Sequence, residues 1–278
     1  MRYICLIALI LLTVQLTGQD ISMNGILINS DTGEGVAYAN VGVRVHALGT
    51  VTDMNGYYEF TSKSVKDEVS FSAIGYSSRT LLVSELMHMD TVFMDPVDYK
   101  FEAIEISSTK LSGKDVILGL KNKDRGQSIG FGSAQLGTEL GAVIEIDKAS
   151  YIKSVNFVLN HAKGDSLLMR VNMYAFDGGD IGASILKENV IFREKQRRGV
   201  YTMDISHMDL VLDSDVLMTL EWLRDFDEIG NKEITFDTKR GRKHSGIFVR
   251  YASQADFKRL DHMGKRKPCF YFIARQVE

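Results

Sequence analysis

Asp177, Asp180, Asp225, Asp227 and Glu228 stand near glycines, between apolar runs. Calcium takes several hard oxygen ligands from loops of this kind, so Asp177, Asp180, Asp225 and Asp227 are candidate ligands of a structural calcium. The EF-hand spacing is missing, and Asp and Gly also form ordinary turns without a metal. Asp53 and Asn55 could join a similar site. The stretch Asp53-Met54-Asn55-Gly56 equally reads as a tight turn, in which Asp caps its own backbone and Asn-Gly tolerates positive φ. Glycoside hydrolysis needs two carboxylates about 5–10 Å apart in a cleft. Glu139, Glu145 and Glu221 fall on predicted strands, but any β protein of this size offers such acids.

Other chemistries lack their residues. There is no Gly-x-Ser-x-Gly elbow and no Gly-x4-Gly-Lys-Ser/Thr loop. Gly130-Phe131-Gly132 opens no dinucleotide fingerprint, since the next glycine comes only at Gly137. Closely spaced Cys/His pairs for zinc are absent. Met87 and Met89 around His88 suit packing better than a copper site, which needs more ligands. Sugar platforms use flat aromatics. The sole tryptophan, Trp222, shares parity with Val216, Met218 and Leu220 and so belongs in a core. Tyr174 and Phe176 lie opposite an apolar stripe and are candidates for exposure. The expectation is no catalytic residue, and no cofactor beyond possible structural calcium.

These residues would be positioned by strands. From Ile21 to Asp95 about seven short apolar-alternating segments, Val41-Gly42-Val43 and Val69-Ser70-Phe71 among them, recur at roughly ten-residue spacing, the mark of a small antiparallel sandwich. Residues 101–109 extend the pattern. Lys110 to Arg125 is polar and glycine-bearing, with a weak capping box, Ser112 to Asp115, ahead of a short helix over Val116-Ile117-Leu118. After it, Leu167, Met169, Val171, Met173 and Ala175 form the clearest period-two stripe, opposite Arg170, Asn172 and Tyr174. No long helical period appears. The expectation is all-β: two β-sandwich domains in series, over 20–96 and 127–278, joined by a linker at 97–126, the second jelly-roll-like.

Residues 1–19 read as a secretory signal: Arg2, then the apolar run from Ile4 to Val14, which is too short to span a bilayer comfortably. Cys5 would leave with it, and Cys269, in an apolar run, would stand alone and buried, so stability rests on packing. The net charge of −3 becomes −4 once Arg2 is removed, which gives no general affinity for nucleic acid. Between Lys239 and Lys267 ten Lys/Arg accompany only Asp256 and Asp261. Solvated loops account for this, and a patch for anionic glycan or lipid phosphate is the sharper reading.

A family likeness rests on Asn24-Gly25-Ile26-Leu27, Thr32-Gly33-Glu34, Ala39-Asn40-Val41, Gly49 to Tyr58 and Phe71-Ser72-Ala73-Ile74-Gly75-Tyr76 in fixed order. Together these resemble the carboxypeptidase-regulatory-like domain, a transthyretin-like sandwich of secreted and outer-membrane proteins of Bacteroidota. Glu102-Ala103-Ile104-Glu105-Ile106 resembles the exit from this domain in TonB-dependent receptors, although no plug or 22-stranded barrel follows. The metallocarboxypeptidases that lend the domain its name carry a His-x-x-Glu zinc pair. None of the six histidines here has Glu three residues on, so the resemblance implies no peptidase activity. The second domain is similar, more loosely, to an uncharacterised C-terminal sandwich that follows this module.

The resulting expectation is an exported, non-catalytic binding or assembly protein of the periplasm or outer membrane. Its partner would be an envelope protein or polysaccharide, with no nucleic acid and no integral membrane span once the signal is removed. A carbohydrate-binding module for polysaccharide capture is the alternative, and an unrecognised hydrolase with two facing carboxylates in a cleft is a further one.

Overall fold

The computed structural model describes residues 20–97, 113–122, 127–132, 136–163, 167–194, 198–225, 233–241 and 246–277. The expected signal at 1–19 and the strand over 101–109 lie outside the described residues.

The N-terminal unit is built from β1 (Ile21–Asn29), β2 (Asn40–Val43), β3 (Leu48–Val51), β4 (Tyr57–Ser62), β5 (Glu68–Ser72), β6 (Arg79–Leu82) and β7 (Thr91–Met94). They form two sheets, β4-β1-β7 and β3-β2-β5-β6. Alternation dictates the packing: along β4, Tyr58, Phe60 and Ser62 point inward while Tyr57, Glu59 and Thr61 face out. Leu27, Val41, Tyr58, Phe71 and Val92 close the core, and Tyr58 meets Phe71 edge-on at 5.6 Å. Burying a side chain such as Phe71 contributes about 1.5–3 kcal/mol.

Between β3 and β4 the expected turn forms. Asp53 Oδ1 accepts from the amides of Asn55 (2.8 Å) and Tyr57 (3.0 Å), and Gly56 takes φ +80°. A Cβ on Gly56 would lie 2.3 Å from the Leu27 carbonyl, so the position excludes side chains on two grounds.

The C-terminal unit contains β8 (Val116–Gly119), β9 (Ser128–Gly132), β10 (Glu139–Ile144), β11 (Ser150–Lys163), β12 (Leu167–Asp177), β13 (Asp180–Ser184), β14 (Val190–Glu194), β15 (Gly199–Asp204), β16 (Val211–Leu212), β17 (Val216–Asp225), β18 (Glu233–Arg240), β19 (Phe248–Arg250), β20 (Lys258–Arg259), β21 (Arg266–Pro268) and β22 (Phe270–Gln276). One sheet runs β13-β12-β17-β10-β19-β20, with β14 also on β12. The other runs β21-β18-β11-β22-β8, with β15, β16 and β9 attached. Between them lie the Met169-Val171-Met173 stripe, Trp222, Phe157, Phe236 and Phe270. Trp222 is core, 1% exposed, and packs edge-on against Phe131. Cys269 is a buried free thiol. The protein is thus all-β, two sandwiches in series.

Two local expectations are corrected. Val116-Ile117-Leu118 is the strand β8, antiparallel to β22, and not a helix. Pairing with a waiting edge outweighs a weak cap, and Asp115 binds Lys153 (2.7 Å) and Arg275 (2.9 Å) instead of capping. This strand belongs to the C-terminal sheet although it falls inside the expected linker. Phe176, expected to be exposed, is 7% exposed. The outer face of the β12-β17-β10 sheet is covered: at one end Phe176, Val143, Leu217 and Phe248 cluster under Phe257. At the other end Leu168 and Leu223 pack against Val51 and Tyr38 of the N-terminal sandwich.

Candidate functional site

Between those two apolar ends, the same covered face carries a buried polar cluster. Period-two geometry places Glu139 on β10, Arg170, Asn172 and Tyr174 on β12, Thr219 and Glu221 on β17, and Arg250 on β19, all on the side away from the core. Register aligns them: Glu139 lies directly opposite Glu221 and also opposite Arg250, while Arg170 lies opposite Glu221. Glu139, Thr219 and Glu221 are each 0% exposed, so every charge must be partnered within the protein.

Arg170 is partnered completely. Its Nε donates to Glu221 Oε2 at 2.9 Å, and Nη2 reaches the same oxygen at 2.7 Å and Asn40 Oδ1 at 2.8 Å. Nη1 donates to the Tyr38 carbonyl at 2.7 Å and to Asn189 Oδ1 at 3.1 Å. Four hydrogen bonds and the Nη2 ion-pair contact thus hold the guanidinium, two of the hydrogen bonds reaching the N-terminal sandwich. Asn172 Nδ2 adds a bond to Glu221 Oε2 at 2.7 Å, while Glu221 Oε1 finds no partner among the described residues. Burial and the neighbouring Glu139 charge push the Glu221 carboxyl above the usual range, against the pull of Arg170.

Glu139 accepts from Thr219 Oγ1 (2.6 Å), Tyr174 Oη (3.0 Å) and Arg250 Nη1 (3.0 Å). The Arg250 guanidinium lies 4.1 Å from the Phe257 ring centre and 5.4 Å from that of Tyr174. Burial, then Glu139, drives the Tyr174 hydroxyl well above its ordinary pKa.

The loop after β19 completes the contact between sandwiches. Gln254 Nε2 donates to Ser72 Oγ at 2.6 Å and to the Asn40 carbonyl at 3.4 Å. Ser253 lies so close to the β2–β3 hairpin that a Cβ on Gly42 would fall 2.3 Å from its carbonyl. Tyr38 and Gln254 both hold positive φ, +57° and +66°, uncommon for such residues. Beside this junction a cleft of about 570 Å³ opens, lined from both sandwiches by Asn40, Ser72, Tyr76, Asn172, Tyr174 and Arg250 among others.

The sequence-derived site residues fare unequally. Asp177 and Asp180 pair across the exposed β12–β13 hairpin. Asp225 pairs with Leu167, at the opposite end of β12, which puts it about 33 Å from Asp177 at 3.3 Å per residue. One calcium cannot take both, and Asp227 lies outside the described residues. Among the described residues no three ligating side chains come together. Of the three glutamates, Glu139 and Glu221 do meet. Both are 0% exposed, each paired with an arginine. Glu145 sits apart and binds Lys267 at 2.8 Å. Among the described residues of the basic stretch, Lys267 is buried with its amine on the Val143 carbonyl and Arg259 pairs with Asp261.

Sequence reasoning missed Tyr38, Asn40, Arg170 and Arg250 as a unit. A signal existed: Thr219 and Glu221 share parity with Leu217 and Leu223, so their face could not be simply solvated.

The fold and this junction define a class of two-sandwich β proteins with a buried ionic contact between modules. Residues 23–123 match the model of the CarboxypepD_reg-like domain, and the N-terminal sandwich is such a domain. The match runs into β8, whose backbone pairs with the C-terminal sheet. The chain is 36% identical over 96 residues to the TonB-dependent receptor SusC of Bacteroides thetaiotaomicron, covering 33% of this chain and 9% of the receptor. Among solved structures, infectious bursal disease virus Gx strain aligns at a TM-score of 0.27 with 10% identity, over 93% of this chain and 79% of that one. A score that low carries no argument. No helix among the described residues is long and apolar enough to cross a membrane.

Proposed function

We propose that this chain is an exported, non-catalytic binding or assembly protein of the cell envelope, whose two sandwiches act as one rigid unit. The observation that carries this is Arg170, which neutralises Glu221 within its own sheet and uses its remaining donors on Tyr38 and Asn40 of the other sandwich. A flexible tether would not need a buried ionic group at its contact. Similarity over 96 residues to a TonB-dependent receptor supports an envelope setting, in the periplasm or at the outer membrane. Two carboxylates closed off by arginines support a structural role over hydrolysis.

A second reading, capture of envelope polysaccharide, is favoured by the cleft that both sandwiches line. The test is a tagged full-length chain recovered from its native envelope, with mass spectrometry of co-purified protein and sugar analysis of co-purified glycan. An outer-membrane protein recovered in fixed ratio supports assembly, and bound glycan supports capture. Recovery of neither, from correctly exported protein, would remove both.

A further inference from the structure

We propose that the cleft between the sandwiches binds an acidic saccharide, with the sugar carboxylate at Arg250 and the ring hydroxyls on polar groups from both domains. This deepens the polysaccharide reading above and rests on it.

Size is the first argument. About 570 Å³ falls within the usual 300–1,000 Å³ of small-ligand sites and accommodates one or two sugar rings. Chemistry is the second. The N-terminal sandwich presents Ser72, Tyr76 and Ser78; the C-terminal one presents Asn172, Ser184 and Lys187. Hydroxyl and amide groups of this kind both give and accept hydrogen bonds, as ring hydroxyls do. Ala73, Ile74 and Leu186 supply an apolar surface for the C–H face of a ring. No Asp or Glu is among the described lining residues.

Arg250 is the third argument. Its Nη1 is spent on Glu139 and its plane rests on Phe257, so it is held in place. Its side chain is 17% exposed and lines the cleft, so the accessible edge of the guanidinium can meet a carboxylate with a charge-assisted hydrogen bond. Arg170 is the poorer candidate, because it is 3% exposed and hydrogen-bonds Glu221, Tyr38, Asn189 and Asn40.

The experiment is calorimetric titration of the full chain with digalacturonate, with neutral lactose and with acetyl-glycine. The variants are Ser184→Trp, which fills the exposed mouth of the cleft, and Arg250→Lys, which keeps the charge and removes the fork. Circular dichroism checks that each variant is folded. Saturable binding of digalacturonate is expected, about tenfold or more tighter than lactose and acetyl-glycine, and weakened about tenfold or more in both variants. Absence of saturable digalacturonate binding overturns the proposal. So does equal affinity for lactose or acetyl-glycine, or unchanged affinity in folded Ser184→Trp. If Ser184→Trp still recovers an envelope protein while digalacturonate binds nothing, the assembly reading stands and only the cleft assignment falls.

Discussion

Arg170, on a strand of the C-terminal sandwich, donates through Nη1 to the carbonyl of Tyr38, 132 residues earlier, at 2.7 Å. The same guanidinium holds Glu221, directly opposite on the neighbouring strand β17, at 2.7 Å. One side chain therefore settles the charge of a buried acid and the position of a neighbouring domain.

Replacing Arg170 by Met should destabilise the protein by about 3–5 kcal/mol, because Glu221 is left charged and unpaired in a dry site. Adding Glu221→Leu should recover much of that loss, since an apolar pair removes the orphaned charge. The contact with Tyr38 and Asn40 should not recover. Urea unfolding of the single and double variants measures the first effect. Limited proteolysis between the sandwiches measures the second.

Glu221 gives stability an unusual pH slope. Its folded pKa is raised above the ordinary glutamate value of 4.5, so between that value and its folded pKa the native state holds more protons than the unfolded chain. Stability from this group is full below that window and is lost as pH rises through the folded pKa. Glu221→Gln should remove this component and flatten the stability curve just above the carboxylate range. Thermal midpoints measured across pH 4–8 for both proteins provide the check. An unchanged slope would count against a buried, upshifted acid.

Asp67 should act with the opposite sign. Burial opposes its ionisation, but the Ser62 hydroxyl, His46 and the amides of Ser64 and Lys63 together hold its carboxyl below the usual range. Its contribution is present above the ordinary aspartate range and is lost as pH falls through the lowered pKa. Asp67→Asn should cost about 1–3 kcal/mol near neutral pH, by weakening bonds to buried groups. It should also reduce sensitivity to acid, seen as a shallower low-pH limb in unfolding curves.

Gly42→Ala should part the two sandwiches. The added methyl would fall 2.3 Å from the Ser253 carbonyl, a backbone atom that cannot swing aside. Trp222 lies in the C-terminal core, so its fluorescence follows that sandwich, whereas far-ultraviolet dichroism follows both. The two transitions should coincide in the parent chain and separate in the variant. Coincidence in both would indicate that Ser253 does not couple the domains.

The sequence by itself determined what alternation can determine. Period-two runs fixed strands, inward faces and the burial of Trp222 and Cys269. The Asp53 to Gly56 turn was legible because its bonds are local. The family pattern over the first sandwich was legible for the same reason, since its turns and cores recur within one short module. Alternation says nothing about what covers the second face of a sheet. Tertiary structure alone decided that Glu139 and Glu221 would oppose each other, that Arg170 and Arg250 would cap them, and that Asp177 and Asp225 would lie at opposite ends of the paired strands β12 and β17. It likewise made a strand of Val116 to Gly119, because an open edge at β22 was waiting for it. These outcomes depend on register between segments tens of residues apart, and on one domain settling over another. Neither is written in the spacing of any single stretch.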